Sequence, residues 1–277
     1  MNKLLWAIGI SLLSGGMAGA TGVSSSAVVA SSPGSATASV FKLESGTPLS
    51  IKLLDYAWAK RESLASQRII ADYLQTKPEV PQNYECAWKT ARLVSFIGNY
   101  GIGEKEFISS SAGVKLFDYG VSAAKIARAL KESGIEGQYW YAIDLGSYGL
   151  AKGILSSAHN AKSGMSALRL AMQIDSSYQW YGSSRILGRY YQELPRFFGG
   201  DREEARNLLL EASEKAPQFR NNWVFLGQYY TAIGKPESAV AACQKALDLP
   251  NQDGKFEELR YAREAQECLD RAKAKLG

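Results

Sequence analysis

Residues 221–250 read NNWVFLGQYYTAIGKPESAVAACQKALDLP. Two apolar segments meet at Gly234, and Pro236 stands where the first residue of a helix tolerates proline. Small residues such as Gly227 and Ala239 recur inside the two segments. The pattern predicts two antiparallel helices that approach each other closely at their small side chains.

Related patterns occur upstream, which indicates an internal repeat. The tetrapeptide L-G-x-Y begins at Leu145, Leu187 and Leu226, with intervals of 42 and 39 residues. One helical hairpin cannot bury its apolar face alone, so repeats of this length predict hairpins that stack on one another. A second set of positions repeats after 34 residues: Ala205, Leu209 and Ala212 recur as Ala239, Cys243 and Ala246.

From about residue 49 onward, apolar residues three and four apart predict helices throughout. Asp201 and Glu204 form a capping box that starts one of them. The predicted helices are 49–61, 62–76, 82–98, 106–132, 136–150, 160–174, 180–194, 202–215, 219–233, 236–248 and 256–275.

The last two hairpins resemble the tetratricopeptide repeat. The resemblance implies an all-α fold of tetratricopeptide-like helical hairpin repeats stacked in a right-handed superhelix, an α-solenoid. About four hairpins would occupy residues 49–277, with a C-terminal capping helix at 256–275. The matching residues are Trp223, Leu226, Gly227, Tyr230, Ala239, Ala246 and Pro250 in one unit, and Leu187, Gly188, Tyr191, Ala205, Ala212 and Pro217 in the unit before it.

Three segments narrow the resemblance. YWYAIDLGSYG (139–149), ILGRYYQELPRFFGGDREEA (186–205) and NNWVFLGQYY (221–230) are similar to the T-component proteins of TRAP transporters, and more weakly to the regulators of microtubule dynamics. The first family implies a non-catalytic periplasmic protein that partners a periplasmic solute-binding protein. A general protein-interaction scaffold for envelope assembly is the alternative.

The N-terminus predicts export. Lys3 precedes the apolar run LLWAIGISLL, and Ala18-Gly19-Ala20 is a small-x-small cleavage site, so residues 1–20 are interpreted as a signal peptide. Residues 21–48 are rich in Ser, Ala and Gly and are interpreted as a flexible leader. No cysteine follows the cleavage site closely enough to be acylated. We therefore expect a periplasmic or secreted protein with no transmembrane segment after cleavage.

The three cysteines leave two possibilities open. Cys243 and Cys268 form a disulfide if their helices are neighbours, whereas each is otherwise a small buried hydrophobic residue. Cys86 would remain free in either case, since an odd count leaves at least one thiol.

Composition and motifs argue against catalysis and nucleic-acid binding. The net charge of +5 is mild, and no basic stripe of the kind that binds nucleic acid occurs. The chain has one histidine, His159, in a segment that looks like a polar turn, so a catalytic triad or a histidine-based metal site has little to build on. We expect no enzyme activity, no metal and no cofactor.

Binding in the concave groove is the remaining function. Arg185 and Arg189 lie one helical turn apart, and Asn222 and Gln228 lie on the first helix of the next hairpin. Two guanidinium groups with two amides suit a carboxylate, from a peptide C-terminus or an organic acid. Surface pairing of the arginines with Glu193 or Asp201 is the alternative. Two aromatic residues near helix starts are further candidates for the groove, Trp140 and Tyr181.

Overall fold

The protein's structure is a computed structural model that describes residues 43–44, 46–101, 110–250 and 255–276. The predicted signal peptide and residues 21–42 of the predicted leader lie outside the described residues. The described residues before the first helix contact the folded body: Leu43 packs against the hydrophobic core, and Tyr73 Oη donates a hydrogen bond of 2.7 Å to the Thr47 carbonyl oxygen.

Eleven α-helices and no β-strand occur in the described ranges, which confirms the predicted all-α architecture. The helices are α1 (Ile51–Lys60), α2 (Leu64–Gln75), α3 (Tyr84–Tyr100), α4 (Ser111–Leu130), α5 (Ile135–Lys152), α6 (Ile154–Ile174), α7 (Tyr178–Glu193), α8 (Arg202–Lys215), α9 (Arg220–Ala232), α10 (Pro236–Asp248) and α11 (Lys255–Lys273), with a short 3₁₀ helix at Arg196–Phe198.

Consecutive helices pair into five hairpins, α1–α2 through α9–α10, where the sequence predicted about four. The first helices of neighbouring hairpins also pack on each other, α1 on α3, α3 on α5 and α7 on α9. The first helices therefore lie side by side within the first three hairpins and within the last two, and α6 packs on α7 between these groups. The final helix, α11, packs on α9 and α10 and also reaches α3.

Local capping explains where several helices begin. The Asp201 carboxylate accepts hydrogen bonds from the backbone N–H groups of Glu203 (2.9 Å) and Glu204 (3.2 Å), so it satisfies two donors that the first turn of α8 leaves open. Asn83 caps α3 in the same way. Pro236 is the first residue of α10. Gly234, which lies between α9 and α10, has φ +74° and so prevents α9 from continuing. The predicted starts of α8 and α10 are confirmed.

The repeated glycines are points of close helix approach. A Cβ at Gly188 would lie 2.9 Å from Leu209 Cγ, and a Cβ at Gly227 would lie 2.5 Å from Cys243 Sγ. Because Leu209 and Cys243 are equivalent positions of the repeat, the two hairpins use the same contact. A larger side chain at either glycine forces the helices apart.

The start of α6 is the largest error among the predicted boundaries. The sequence predicted a turn up to residue 160, but α6 begins at Ile154 and its backbone includes residue 159. Gly153 has φ +110°, a conformation that glycine adopts without strain, so one residue ends α5 and starts α6. The serines after it therefore continue a helix where they looked like a turn.

The C-terminal helix also differs from the cap that its composition predicted. A terminal cap exposes its polar face, yet Glu258, Arg260 and Glu264 of α11 are buried. They are buried because the first half of α11 packs against the stack, where Arg260 bonds to Asn99 of α3, Glu258 pairs with Arg220 of α9, and Glu264 pairs with Arg260. The helix covers the end of the stack and part of its inner face.

Candidate functional site: the inner chamber and the outer groove

A cavity of about 120 Å³ lies where the first helices α3, α5, α7 and α9 face α11. We call it the inner chamber. Four hairpins supply its walls, and α11 lies across their common face. A groove that would otherwise be open along the stack is therefore closed over this stretch.

Polar contacts fasten α11 to α3. Arg260 Nη1 donates a hydrogen bond of 2.6 Å to the Asn99 carbonyl oxygen, and Arg260 Nε donates one of 2.7 Å to Glu264 Oε1. The hydroxyl oxygens of Tyr100 and Tyr261 are 3.0 Å apart. Burial raises the pKa of Tyr100 to about 12, so this hydroxyl stays protonated well above neutral pH.

Aromatic rings form part of the chamber wall. The Trp180 and Phe219 rings are stacked at 6.0 Å between centroids, and the Phe219 and Tyr261 rings meet edge to face at 5.7 Å. On the opposite side, the Tyr139 and Trp140 rings meet edge to face at 5.0 Å. The chamber therefore presents ring faces and edges, which favour a flat or apolar guest.

Arg185 places a positive charge at this wall and is only 4% exposed. Its Nη1 donates to Asn222 Oδ1 at 2.7 Å and to the Trp180 carbonyl oxygen at 3.3 Å. The guanidinium carbon lies 4.7 Å from the centre of the Phe219 ring, within the range of a cation–π contact. All of these partners are neutral.

An unusual backbone turn precedes this arginine. Gln179, Trp180 and Tyr181 have φ between 53° and 59°, so they form a turn of left-handed conformation before the right-handed part of α7. Each such residue costs about 1–2 kcal/mol when it is not glycine. The carbonyl oxygen of Trp180 accepts bonds from both Arg185 and Asn222, and this network holds the turn.

Arg189 faces a second, larger space. Its Nη1 donates to Gln228 Oε1, and its Nε lies 3.5 Å from Glu193 Oε1. Arg189 and Gln228 line a groove of about 1210 Å³ between the end of α7, the turn to α8 and the last turns of α9 and α11. We call it the outer groove. Burial lowers the pKa of Arg189, and the carboxylate of Glu193 opposes the shift.

The structure thus brings the four predicted polar residues together as two bonded pairs. Arg185 and Arg189, which the sequence predicted to lie in the open groove or, as the alternative, on the surface, are both buried. The alternative pairing of Arg189 with Glu193 is present. Trp140 lines the inner chamber, whereas Asn222 is fully buried behind it. Tyr181 packs beside the cluster of Ala216, Phe219 and Tyr261. Their role in binding stays a prediction.

Sequence reasoning missed the residues that α11 contributes. Glu257, Arg260, Tyr261 and Glu264 line the inner chamber, but they lie on a helix that looked like a solvated cap. Tyr100 and Tyr261 are 161 positions apart, and no periodic pattern signals such a contact. The only hint was a tyrosine in a helix otherwise rich in charge.

A buried carboxyl group lies next to the chamber. Asp144 on α5 is fully buried, and its Oδ1 accepts a hydrogen bond of 2.6 Å from Ser95 Oγ. Its Oδ2 is buried with no hydrogen-bond partner in the described part of the chain. Burial raises the pKa of Asp144 well above its usual range, and the Ser95 bond only partly opposes the shift.

A disulfide joins Cys243 on α10 to Cys268 on α11, with the two Cα atoms 5.6 Å apart. The sequence left open whether these two cysteines form a disulfide or are separate buried residues, and the structure contains the disulfide. Cys86 is free and buried, as expected. The bond ties the second half of α11 to the last hairpin, while the first half reaches α3 over the chamber.

Two further features bear on other classes of site. No helix among the described residues combines the length and hydropathy needed to cross a bilayer. No group of three or more His, Cys, Asp or Glu side chains in the same ranges is placed to hold a metal ion.

The architecture has a counterpart among solved structures. The chain is similar to a thermophilic tetratricopeptide repeat (TPR) protein of Thermus thermophilus, with a TM-score of 0.51 and 18% identity over 78% of this chain and 97% of that one. At this identity the likeness concerns the fold alone. The fold is tetratricopeptide-like, as predicted, and similarity to T-components or to regulators of microtubule dynamics stays a prediction. No protein-family model and no curated protein matches the chain.

Proposed function

We propose that this chain is a non-catalytic, exported binding protein that docks a partner protein at the outer groove. Stacked hairpins present long surfaces suited to protein binding. The inner face, where an extended partner would be expected, is partly covered by α11. The outer groove stays open and is about ten times larger than the inner chamber (1210 against 120 Å³).

The observation that carries this proposal is a pair of exposed phenylalanines at the rim of the groove. Phe197 is 80% exposed and Phe198 is 50% exposed, with ring centroids 4.2 Å apart. They lie on the 3₁₀ turn between α7 and α8, next to the groove residues Pro195 and Arg196. Large aromatic side chains that stay in water beside a groove are typical anchors of protein interfaces.

The turn that carries them is an addition to the repeat. The segment ELPRFFGGD (193–201) is five residues longer than the turn that the repeat requires. Hydrogen bonds from the Gly200 N–H to the Pro195 carbonyl oxygen and from the Asp201 N–H to the Tyr191 carbonyl oxygen hold its two ends. The phenylalanines are therefore presented on a fixed loop, which lowers the entropy lost on binding.

The finer proposal concerns the partner. The order of the segments 139–149, 186–205 and 221–230, together with the predicted signal peptide, supports an accessory T-component that binds a periplasmic solute-binding protein. A scaffold for envelope assembly is the second candidate. The same surface supports it, because exposed phenylalanines beside a groove suit a protein partner of either kind.

The test is affinity capture from a periplasmic extract, followed by calorimetry with the purified captured protein. We expect Phe197→Ser with Phe198→Ser to weaken binding at least about tenfold, since each interface anchor contributes about 2 kcal/mol or more. The matched control is Leu64→Ser, which changes a 53%-exposed residue on the first hairpin. Equal binding by both variants would contradict the proposed surface. A captured solute-binding protein supports the T-component role, and envelope-assembly proteins support the scaffold.

A further inference from the structure

We propose that the inner chamber is a binding site for a small monocarboxylic acid with a short apolar body of about four or five carbons. The proposal does not depend on partner docking, because the inner chamber and the outer groove are separate cavities. It is carried by a buried positive charge at the chamber wall that has no carboxylate partner in the described part of the chain.

The other buried arginines of the chamber differ from Arg185 in this respect. Arg260 pairs with Glu264 at 2.7 Å, and Arg189 lies 3.5 Å from Glu193. Arg185 is equally buried, yet its partners are an amide, backbone carbonyl oxygens and the Tyr139 hydroxyl, and none of them is a carboxylate. A buried charge that lacks a counter-ion is costly, so an anion that enters the chamber gains a strong electrostatic partner.

Unsatisfied hydrogen-bonding atoms lie at the same place. Arg185 Nε is buried and has no hydrogen-bond partner within the described ranges, so a donor is open to a carboxylate oxygen. The amide oxygen of Asn221, which also lines the chamber, is likewise buried and unpaired there. It would accept a hydroxyl or water that accompanies the acid. Buried polar atoms without partners are rare, and a missing ligand is one explanation for them.

The volume and lining of the chamber determine what apolar body the acid can carry. A cavity of about 150 Å³ lined by apolar residues holds a benzene molecule. The chamber, at about 120 Å³, therefore suits a body somewhat smaller than a ring together with its carboxylate. The rings of Tyr139, Trp140, Phe219 and Tyr261 offer it apolar contact on several sides.

A free acid fits better than the C-terminus of a peptide, although both present a carboxylate. The chain of a peptide would have to leave the chamber past α11. The contacts of Arg260 with Asn99 and of Tyr261 with Tyr100 close that side.

The test uses 3-methylbutanoate as the probe, titrated into the purified full-length oxidised protein by calorimetry. Tryptophan fluorescence is a second readout because Trp140 and Trp180 line the chamber. We expect saturable binding of one probe per chain. The neutral 3-methylbutanamide, and acetyl-Ala-Ala-Leu with a free carboxylate, are expected to bind at least about tenfold more weakly, since one lacks the charge and the other the fit.

Two variants locate the site. Arg185→Gln removes the charge, and we expect at least about a tenfold loss of probe affinity, with Arg206→Gln on exposed α8 surface as the matched control. Ile143→Trp fills the chamber while leaving Arg185 in place, so it keeps the test decisive if Arg185→Gln does not fold.

The outcomes separate clearly. Binding that is lost in Ile143→Trp and retained in Arg206→Gln supports the proposal. Equal affinity for the acid and the amide, tighter binding of the peptide, probe binding unchanged by Ile143→Trp, or no binding at millimolar probe would each overturn it.

Discussion

At the residue scale, Asp144 is a buried carboxyl group with a hydrogen bond to only one of its two oxygens in the described part of the chain. Ser95 satisfies one oxygen, and the other has no partner in the described part of the chain. A Cβ on Gly120 would lie 2.6 Å from that oxygen, so the neighbouring helix packs closely against it. The group therefore favours its protonated form in the folded protein.

Asp144 should make stability depend on pH. Its folded pKa lies above the value of about 3.9 for an unfolded aspartate. As pH rises from the unfolded pKa to the folded one, the unfolded chain loses its proton first, so the free energy of unfolding falls. We expect Asp144→Asn, which stays neutral, to remove this fall and to be at least as stable as the wild type near pH 8.

The measurement is urea unfolding of both proteins from pH 4 to pH 8. Asp72→Asn, at an exposed position on α2, is the control and should leave the slope unchanged. An identical pH slope in wild type and Asp144→Asn would show that the carboxyl is not buried in this way.

Gly227 gives a second prediction at this scale. Its missing side chain leaves space for the disulfide, because a Cβ would lie 2.5 Å from Cys243 Sγ and 2.7 Å from Cys268 Sγ. We expect Gly227→Ala to lower stability by about 1–3 kcal/mol despite the better helix propensity of alanine. The same change in a Cys243→Ala/Cys268→Ala background should cost clearly less. Equal losses in the two backgrounds, measured by urea unfolding, would refute the contact.

At the element scale, the disulfide is the covalent link between the last hairpin and α11. It spans 25 positions of the chain. A loop of that length is stabilised by about 3 kcal/mol when it is closed, through the lower entropy of the unfolded chain. We expect the melting temperature of the oxidised protein to fall on reduction.

The Cys243→Ala/Cys268→Ala variant is the matched control for that experiment. It should melt near the temperature of the reduced wild type and should not respond to dithiothreitol. A wild-type melting temperature that reductant leaves unchanged would argue against the bond. The bond also agrees with the proposed export, since disulfides persist in oxidising compartments.

Most elements could be predicted from sequence because local chemistry determines them. The capping box at Asp201 and the proline at position 236 mark helix starts that the structure reproduces. The failure at α6 has a local cause as well, since Gly153 joins two helices without a loop. Serines and a histidine after a glycine look like a turn unless the packing of the next helix is known.

At the scale of the whole molecule, the inner chamber depends on contacts between distant parts of the chain. The repeat predicted that Arg185 and Asn222 would share a surface, and the structure joins them by a hydrogen bond. Their burial could not be predicted, because it depends on the left-handed turn at 179–181 and on neighbouring helices. The position of α11 could not be predicted either, because Arg260 bonds to α3 and Glu258 pairs with α9, and no periodicity reveals such contacts.

The central claim is that α11 closes the inner face of the stack by contact with α3. A double-mutant cycle of Tyr100→Phe and Tyr261→Phe, measured by urea unfolding, tests it most directly. The two hydroxyl oxygens are 3.0 Å apart, so each substitution removes the same hydrogen bond. We predict a coupling of about 1 kcal/mol between the two positions. Additive losses, with a coupling below about 0.3 kcal/mol, would contradict the contact and the closed chamber with it.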